Sequence, residues 1–203
     1  MKKSVLVVDL DGTLFSINTF HYFIKFLFQD SIKKRKLFFV LKLSFILLLR
    51  LLKVFTHAKM KYSILKMVSK TNIDFIEFVK LIEAKKNDIS VLKDFFNIKI
   101  LATGAPNLYA NIIAKNEGFD VCLATNFPRT GFDQKFENIK EVKKNTVMNY
   151  LSGESIQEID IFVTDHIDDL PLMKNAKRNI LVAPNQETKS FLEQNKISFE
   201  VLK

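Results

Sequence analysis

Cysteine is nearly absent: Cys122 is the only one in 203 residues. A lone thiol cannot form an internal disulfide, which excludes a disulfide-stapled scaffold and suits a reducing compartment. Its neighbours, VCLAT, mark it as a buried strand residue without chemistry of its own. Glycine and proline are scarce too, five and four, which argues against a linker-rich or low-complexity chain. No internal repeat is present. The three histidines, His21, His57 and His166, are scattered; with one cysteine they offer no zinc-type cluster. Long uninterrupted apolar runs are missing as well. The N-terminus, MKKSVLVVDLDG, imitates a signal peptide, but Asp9 and Asp11 end its apolar run after five residues, short of the roughly 7–15 that a secretory segment needs. A cytoplasmic start is expected.

What is abundant is apolar: 48% of the residues, with 20 phenylalanines, enough for one sizeable core plus an insert. The formal charge is +9. It is concentrated. Residues 16–70 hold twelve Lys or Arg and one acid, Asp30, a net of +11, so the remainder sums to −2.

The run SVLVV (4–8) is continuously apolar and β-branched, the pattern of a strand buried on both faces. A long helical region follows from about Asn18 to Lys70, with Asn18 or Thr19 as its first cap. Residues 72–84 place Phe75, Phe78, Val79 and Ile82 on one helical face. From there strands and helices alternate. ISVLKDFF is expected as helix, IKILAT (98–103) as strand, and PNLYANIIAKNEG as a helix closed by Gly118. FDVCLAT is a strand, NFPRTGFDQ a hairpin or loop, and KEVKKNTVMNYL a helix. IDIFVT (159–164) and NILVAP (179–184) are further strands. Such alternation predicts an α/β fold, a Rossmann-like parallel sheet flanked by helices. An α-helical insert leaves after the first strand. The predicted division is a core of residues 1–15 and 85–203, with residues 16–84 as a helical insert.

In a parallel sheet, sites gather beyond the carboxyl ends of the strands. Asp9 stands at such an end, as do Thr103 and Asp165, with Asp168 and Asp169 close behind. Taken singly, each reads as a cap or turn residue. Together, three strand ends offer polar groups to one crevice. Clustered carboxylates raise one another's pKa unless a cation sits among them. An all-oxygen set suits Mg²⁺. A metal beside a carboxylate, a hydroxyl and a lysine is equipment for phosphoryl transfer.

DLDGT (9–13 with its preceding strand), LATGA, a lysine in ENIKEVKK and TDHIDDLPL resemble, in order, the four motifs of haloacid dehalogenase superfamily phosphatases. The resemblance spans residues 5 to about 184, the insert excepted. It implies that Asp9 is the nucleophile and forms an aspartyl-phosphate. Asp11 would be the general acid/base; the dehalogenase branch lacks that second aspartate. Thr103 and the backbone N–H of Gly104 would hold the phosphate. Mg²⁺ would be bound by Asp9, the main-chain carbonyl of Asp11 and Asp165, with Asp169 binding through water or holding its neighbours. The family's lysine spacing points to Lys144, with Glu141 where glycine is usual, so Lys140 and Lys143 stay in contention. His166 departs from the usual Gly-Asp-Ser and is a contact for substrate or a loop cap.

The resemblance also places a helical cap between the first two motifs. Within it, residues 37–55 (LFFVLKLSFILLLRLLKVF) carry Lys42, Arg50 and Lys53 within about 80° of a helical wheel. A transmembrane span needs about 20 apolar residues, and the longest uncharged run here, Leu43 to Leu49, is seven. That leaves a helix packed in the cap with its cations in water, or an interfacial helix on an anionic membrane. Nucleic acid is not expected, because the basic segment holds no recognisable module. The pattern is similar to the subgroup that includes phosphatidylglycerophosphate phosphatases. The substrate implied is a phosphorylated small molecule or a lipid phosphate, met at the inner face of the membrane in the second case. Rival expectations are a soluble sugar or amino-acid phosphate, transfer to an acceptor other than water, and a non-catalytic regulatory homologue. A degenerate homologue should have lost Asp9, Asp11 or Asp165, and all three are present.

Overall fold

The first strand is apolar on both faces. In β1 (Val5–Val8) every residue is buried. Successive side chains point to opposite faces of a sheet. Leu6 and Val8 accordingly belong to one core and Val5 and Val7 to a second on the other side. The computed structural model describes residues 3–129 and 131–202. Lys2 and Thr130, which fall in stretches interpreted above, lie outside them.

Around β1 the described chain forms a six-stranded sheet, all of its pairings parallel. The other strands are β2 (Ile98–Pro106), β3 (Val121–Thr125), β4 (Ile159–Thr164), β5 (Ala176–Val182) and β6 (Glu200–Leu202). Their order is β3-β2-β1-β4-β5-β6. This is the Rossmann-like α/β fold expected, with β1 central and the order reversing beside it. β2 runs three residues past the anticipated end at Thr103. β6 was not anticipated; it is three residues long and carries no hydrophobic alternation.

Four helices lie between β1 and β2: α1 (Thr19–Lys33), α2 (Leu37–Leu51), α3 (His57–Val68) and α4 (Phe75–Ile82). Side-chain caps set three of their starts. Asn18 accepts from His21 N, Thr56 from Lys59 N and Asp74 from Glu77 N, each satisfying a donor that the first turn leaves free. The chain leaves and re-enters the sheet at one place: Ser16 N donates to Lys85 O (2.9 Å) and Asn87 N to Leu14 O (2.9 Å). Phe23 and Phe78 pack with Tyr109, ring centroids 5.0–5.4 Å apart. That places α1 and α4 against α5 (Asn107–Asn116). On the other face lie α6 (Lys140–Gly153), the short α7 (Leu170–Met173) and α8 (Gln186–Gln194).

One local expectation is corrected and one choice is settled. ISVLKDFF is no helix; only Ser90–Lys93 makes a 3-10 turn. Its first residues have no side-chain cap, and so short a segment does not repay the cost of helix nucleation. The described part of NFPRTGFDQ forms no strand, so of the two alternatives it is a loop.

Candidate active site

At the end of β1 the ladder carries on for one residue, Asp9 N donating to Val163 O (2.9 Å). Then the chain curls: Leu14 N returns to Asp9 O (3.3 Å) and Phe15 N to Leu10 O (2.9 Å). Gly12 makes the curl at φ +77°, and a Cβ there would lie 2.1 Å from Asp165 Oδ2. Both the left-handed backbone and the close approach demand glycine. The curl leaves Asp9 and Asp11 lining one cleft of about 540 Å³, together with Thr103, Gly104, Lys143, Asp165 and Asp169.

The lysine in this cleft is Lys143. Its Nζ donates to Asp9 Oδ1 (2.8 Å) and sits 2.7 Å from Asp169 Oδ1. Lys144, favoured by motif spacing, pairs instead with Glu141 at the surface (3.0 Å). Lys140 reaches toward Asp168 (3.5 Å), also exposed. The reason is helical phase. Lys143, Val147 and Leu151 are the buried residues of α6, four residues apart, so they share its inward face. That periodicity was visible in the sequence and would have selected Lys143.

Asp169 is fully engaged. Lys143 takes both of its oxygens, and Thr164 Oγ1 donates to Oδ2 (2.7 Å). These contacts are those of the second role implied for Asp169, holding its neighbours. Asp9 has only Oδ1 committed to Lys143. Burial drives the Asp9 carboxyl up to about 8; Lys143 opposes this, and Asp169 and Asp11 add to it. Burial also pulls Lys143 down, but Asp169 and Asp9 outweigh it and leave the ammonium more basic than usual.

Asp11 is held by the helical segment. Its Oδ1 accepts from Thr19 N (2.7 Å) at the first turn of α1, where exposed N–H groups favour an anion. Thr19 Oγ1 in turn meets Tyr109 Oη (3.1 Å). Burial nevertheless raises the Asp11 carboxyl, with Thr19, Lys61 and Lys143 working against it. A carboxyl biased toward its protonated form and steered by a backbone N–H suits proton donation.

Thr103 is buried, and its Oγ1 accepts from Ala105 N (3.0 Å), which leaves the hydroxyl hydrogen to donate. Asn138 Nδ2 pins the strand ends by donating to Thr103 O (3.2 Å) and Leu123 O (2.9 Å). Gly104 packs tightly; a Cβ would lie 2.7 Å from Ile139 Cγ2. Three ionisable cleft residues were not anticipated: His57 and Lys61 of α3, and Glu137. Lys61 forms a buried ion pair with Glu137 and donates to Gly104 O (3.0 Å). His57 Nδ1 lies 3.2 Å from Glu137 Oε2. They are some 80 residues apart in sequence, and no local pattern links them. His166 caps its own loop, its Nδ1 accepting from Asp168 N (3.1 Å), and it also lines the cleft.

The donor set can be weighed against Mg²⁺. Asp165 Oδ1 accepts from Thr13 Oγ1 (3.1 Å), and its Oδ2 is pressed against Gly12. Burial raises the Asp165 carboxyl, with Thr13 and His166 lowering it. Among the described residues, no three acid, histidine or cysteine side chains close into a metal cage of their own. Mg²⁺ typically takes one or two carboxylates and completes its shell with water and phosphate oxygens. Two acids with raised pKa values, the buried Asp9 and the half-buried Asp165, fit that demand, since a cation would favour their charged forms.

Comparison with known proteins places the chain in a family and a fold. Residues 6–174 match the family model for haloacid dehalogenase-like hydrolases. No curated protein sequence matches the chain. Among solved structures, a protein of unknown function from Bordetella pertussis Tohama I is similar at TM-score 0.78 and 16% identity, covering 100% of this chain and 99% of that one. An apo phosphoserine phosphatase is similar at TM-score 0.61 and 16% identity, with 100% and 94% covered. A phospho-aspartyl intermediate analogue of phosphoserine phosphatase gives TM-score 0.59 and 15% identity, with 100% and 95% covered.

Proposed function

We propose a reaction for a chain that belongs to the haloacid dehalogenase-like hydrolases: hydrolysis of a phosphomonoester through an aspartyl-phosphate on Asp9, with Mg²⁺ as its metal. The observation that carries this reading is the pairing of Asp9 and Asp11 in one cleft with Lys143 and Thr103. Asp9 Oδ2 attacks phosphorus, the ester P–O bond breaks, and the departing oxygen takes the proton of Asp11. A water then attacks the same phosphorus and gives its proton to Asp11. The bond to Asp9 breaks, and inorganic phosphate leaves. Lys143 and the Thr103 hydroxyl hold phosphate oxygens, helped by Gly104 N–H. Asp169 and Thr164 position Lys143. Asp9, Asp165 and the main-chain carbonyl of Asp11 would hold Mg²⁺, which when bound supplies positive charge to neutralise the phosphate.

The helical segment covers the cleft with His57 and Lys61, in keeping with a cap that selects the leaving group. Its basic, apolar character supports a lipid phosphate such as phosphatidylglycerophosphate, met by peripheral contact at the inner face of an anionic membrane. Among the described residues no helix is long and apolar enough to cross a membrane. A second reading, a soluble amino-acid or sugar phosphate, draws on the likeness to phosphoserine phosphatase over nearly the full length of both chains.

The test is phosphate release from phosphatidylglycerophosphate in mixed micelles, against phosphoserine and a sugar phosphate, with Asp9→Asn as control. EDTA should stop it and Mg²⁺ restore it. Preference for the lipid supports the first substrate, and preference for a soluble ester the second. Metal-independent release, or release by the variant, would overturn the reaction itself.

A further inference from the structure

Helix α2 has two apolar stripes, and only one is used. Phe39, Leu43 and Ile46 are its buried residues. Phe38, Leu41, Phe45, Leu48 and Leu52 recur at spacings of three and four, so they share the opposite side. They face solvent, Phe38 at 81%, Leu41 at 69% and Phe45 at 59% exposure. Leu51 and Val54 extend the patch. Monomeric proteins seldom leave so large a contiguous apolar surface without an occupant.

Beside the stripe runs a groove of about 910 Å³ between α2 and α3. Phe38, Phe45, Leu49 and Phe55 contribute to its apolar wall; Arg35, Lys36, Lys42, Lys66 and Lys70 supply its polar margin. From residue 33 to residue 70 there are eleven Lys or Arg and no acid. The occupant must therefore present both an apolar interior and negative charge at its edge. A second copy of this chain is disfavoured, since a two-fold contact would set these cations against themselves.

We propose that this face of α2 and its groove form a docking surface for the anionic phospholipid leaflet of a membrane. α2 lies in the plane of the interface, its outward phenylalanines and leucines among the acyl chains. Lys36, Lys42, Lys66 and Lys70 on the groove's margin, with Lys53 beyond the end of the helix, meet the headgroup phosphates. α3 connects this surface with the chemistry. His57 and Lys61 line the catalytic cleft, while Tyr62, Lys66 and Lys70 line the groove or border it. Docking would thus bring the cleft next to lipid headgroups. The surface rests on the lipid reading above for its purpose, but its residues are separate from Asp9, Asp11, Thr103 and Lys143.

The experiment is co-sedimentation of the full chain with phosphatidylcholine vesicles, with and without phosphatidylglycerol. The expected result is binding only with the anionic lipid, weakened in about 1 M salt. Phe38→Ser with Phe45→Ser should cut it at least tenfold. Lys42→Gln with Lys66→Gln should cut it about 25-fold, at about fivefold per cation. Hydrolysis of a soluble aryl phosphate should be unchanged in both pairs, which excludes misfolding. Absence of binding to either vesicle, or equal binding by wild type and the serine pair, would overturn the surface. So would a stable dimer that the serine pair dissolves in the absence of any vesicle binding. A chain that hydrolyses the soluble ester yet ignores vesicles loses only the docking surface; one that docks but turns over no phosphate ester loses only the reaction.

Discussion

Lys61 of α3 and Glu137 of the core form a buried ion pair at the cleft, and the same lysine donates to Gly104 O (3.0 Å). The helical segment is thereby fastened to the wall that carries Thr103. Burial pushes the Glu137 carboxyl up, but His57 and Lys61 together outweigh it and hold the group down, from 4.5 to about 2. A carboxylate depressed by folding adds stability above its unfolded pKa and loses it as pH falls through the folded value. Glu137→Gln should therefore be less stable by about 1–3 kcal/mol at pH 7. Less than half of that difference should survive at about pH 3. Urea denaturation at the two pH values checks it, and an equal gap at both would contradict the ion pair's role.

Asp9→Asn should abolish turnover, by at least about 10³-fold, with little change in melting temperature. The amide keeps the shape of the side chain, and Lys143 keeps its contacts with Asp169. Removing one of two buried carboxylates around a single lysine also removes a repulsion that helps push Asp9 up to about 8. Single-turnover phosphate release and a thermal melt separate the two effects. A variant that is merely unfolded would lose both.

Lys143 and Lys144 are neighbours with opposite fates. Lys143→Ala leaves Asp9 and Asp169 buried without their cation. It should cost about 3 kcal/mol of stability and more than about 100-fold in kcat/KM. Lys144→Ala breaks a surface pair with Glu141, and exposed pairs contribute only about 0–1 kcal/mol. Its activity should stay within about twofold, because the side chain points away from the cleft. Steady-state kinetics on the two variants decides between family spacing and helical phase as the guide to this residue.

That pair also marks how far the sequence could be read. The central strands were legible because buried parallel strands are continuous apolar runs; Ile159–Thr164 matched to the residue. Asp9, Thr103 and Asp165 could be gathered in advance because they fall at or near the carboxyl ends of such strands; Asp11 came from its motif alone. Lys143 sits on a helix, where a one-residue error rotates a side chain by about 100°. Lys61 and Glu137 were not legible at all. Each is an ordinary charged residue in a basic or mixed stretch, and only tertiary packing makes them partners. The second apolar stripe of α2 was hidden for a related reason: composition does not say which of two apolar faces a helix buries.

Gly12 offers the sharpest steric test of how the nucleophile's turn meets Asp165. A Cβ at Gly12 would lie 2.1 Å from Asp165 Oδ2 and 2.5 Å from its Cγ, on a backbone at φ +77°. Asp165 cannot simply swing aside, because Thr13 Oγ1 holds its other oxygen (3.1 Å). Gly12→Ala should therefore destabilise the chain by more than about 1 kcal/mol from backbone strain alone. It should also lower activity at least about tenfold by displacing Asp165 from Asp9 and Asp11. Gly153→Ala is the matched control. It lies at the end of α6 with nothing within 4 Å of the added carbon, so stability should hold or rise by a few tenths of a kcal/mol. Chemical denaturation and phosphate release on both variants give the comparison. If Gly12→Ala behaved like Gly153→Ala in both, the tight contact between the DLDGT turn and Asp165 would not be what shapes this cleft.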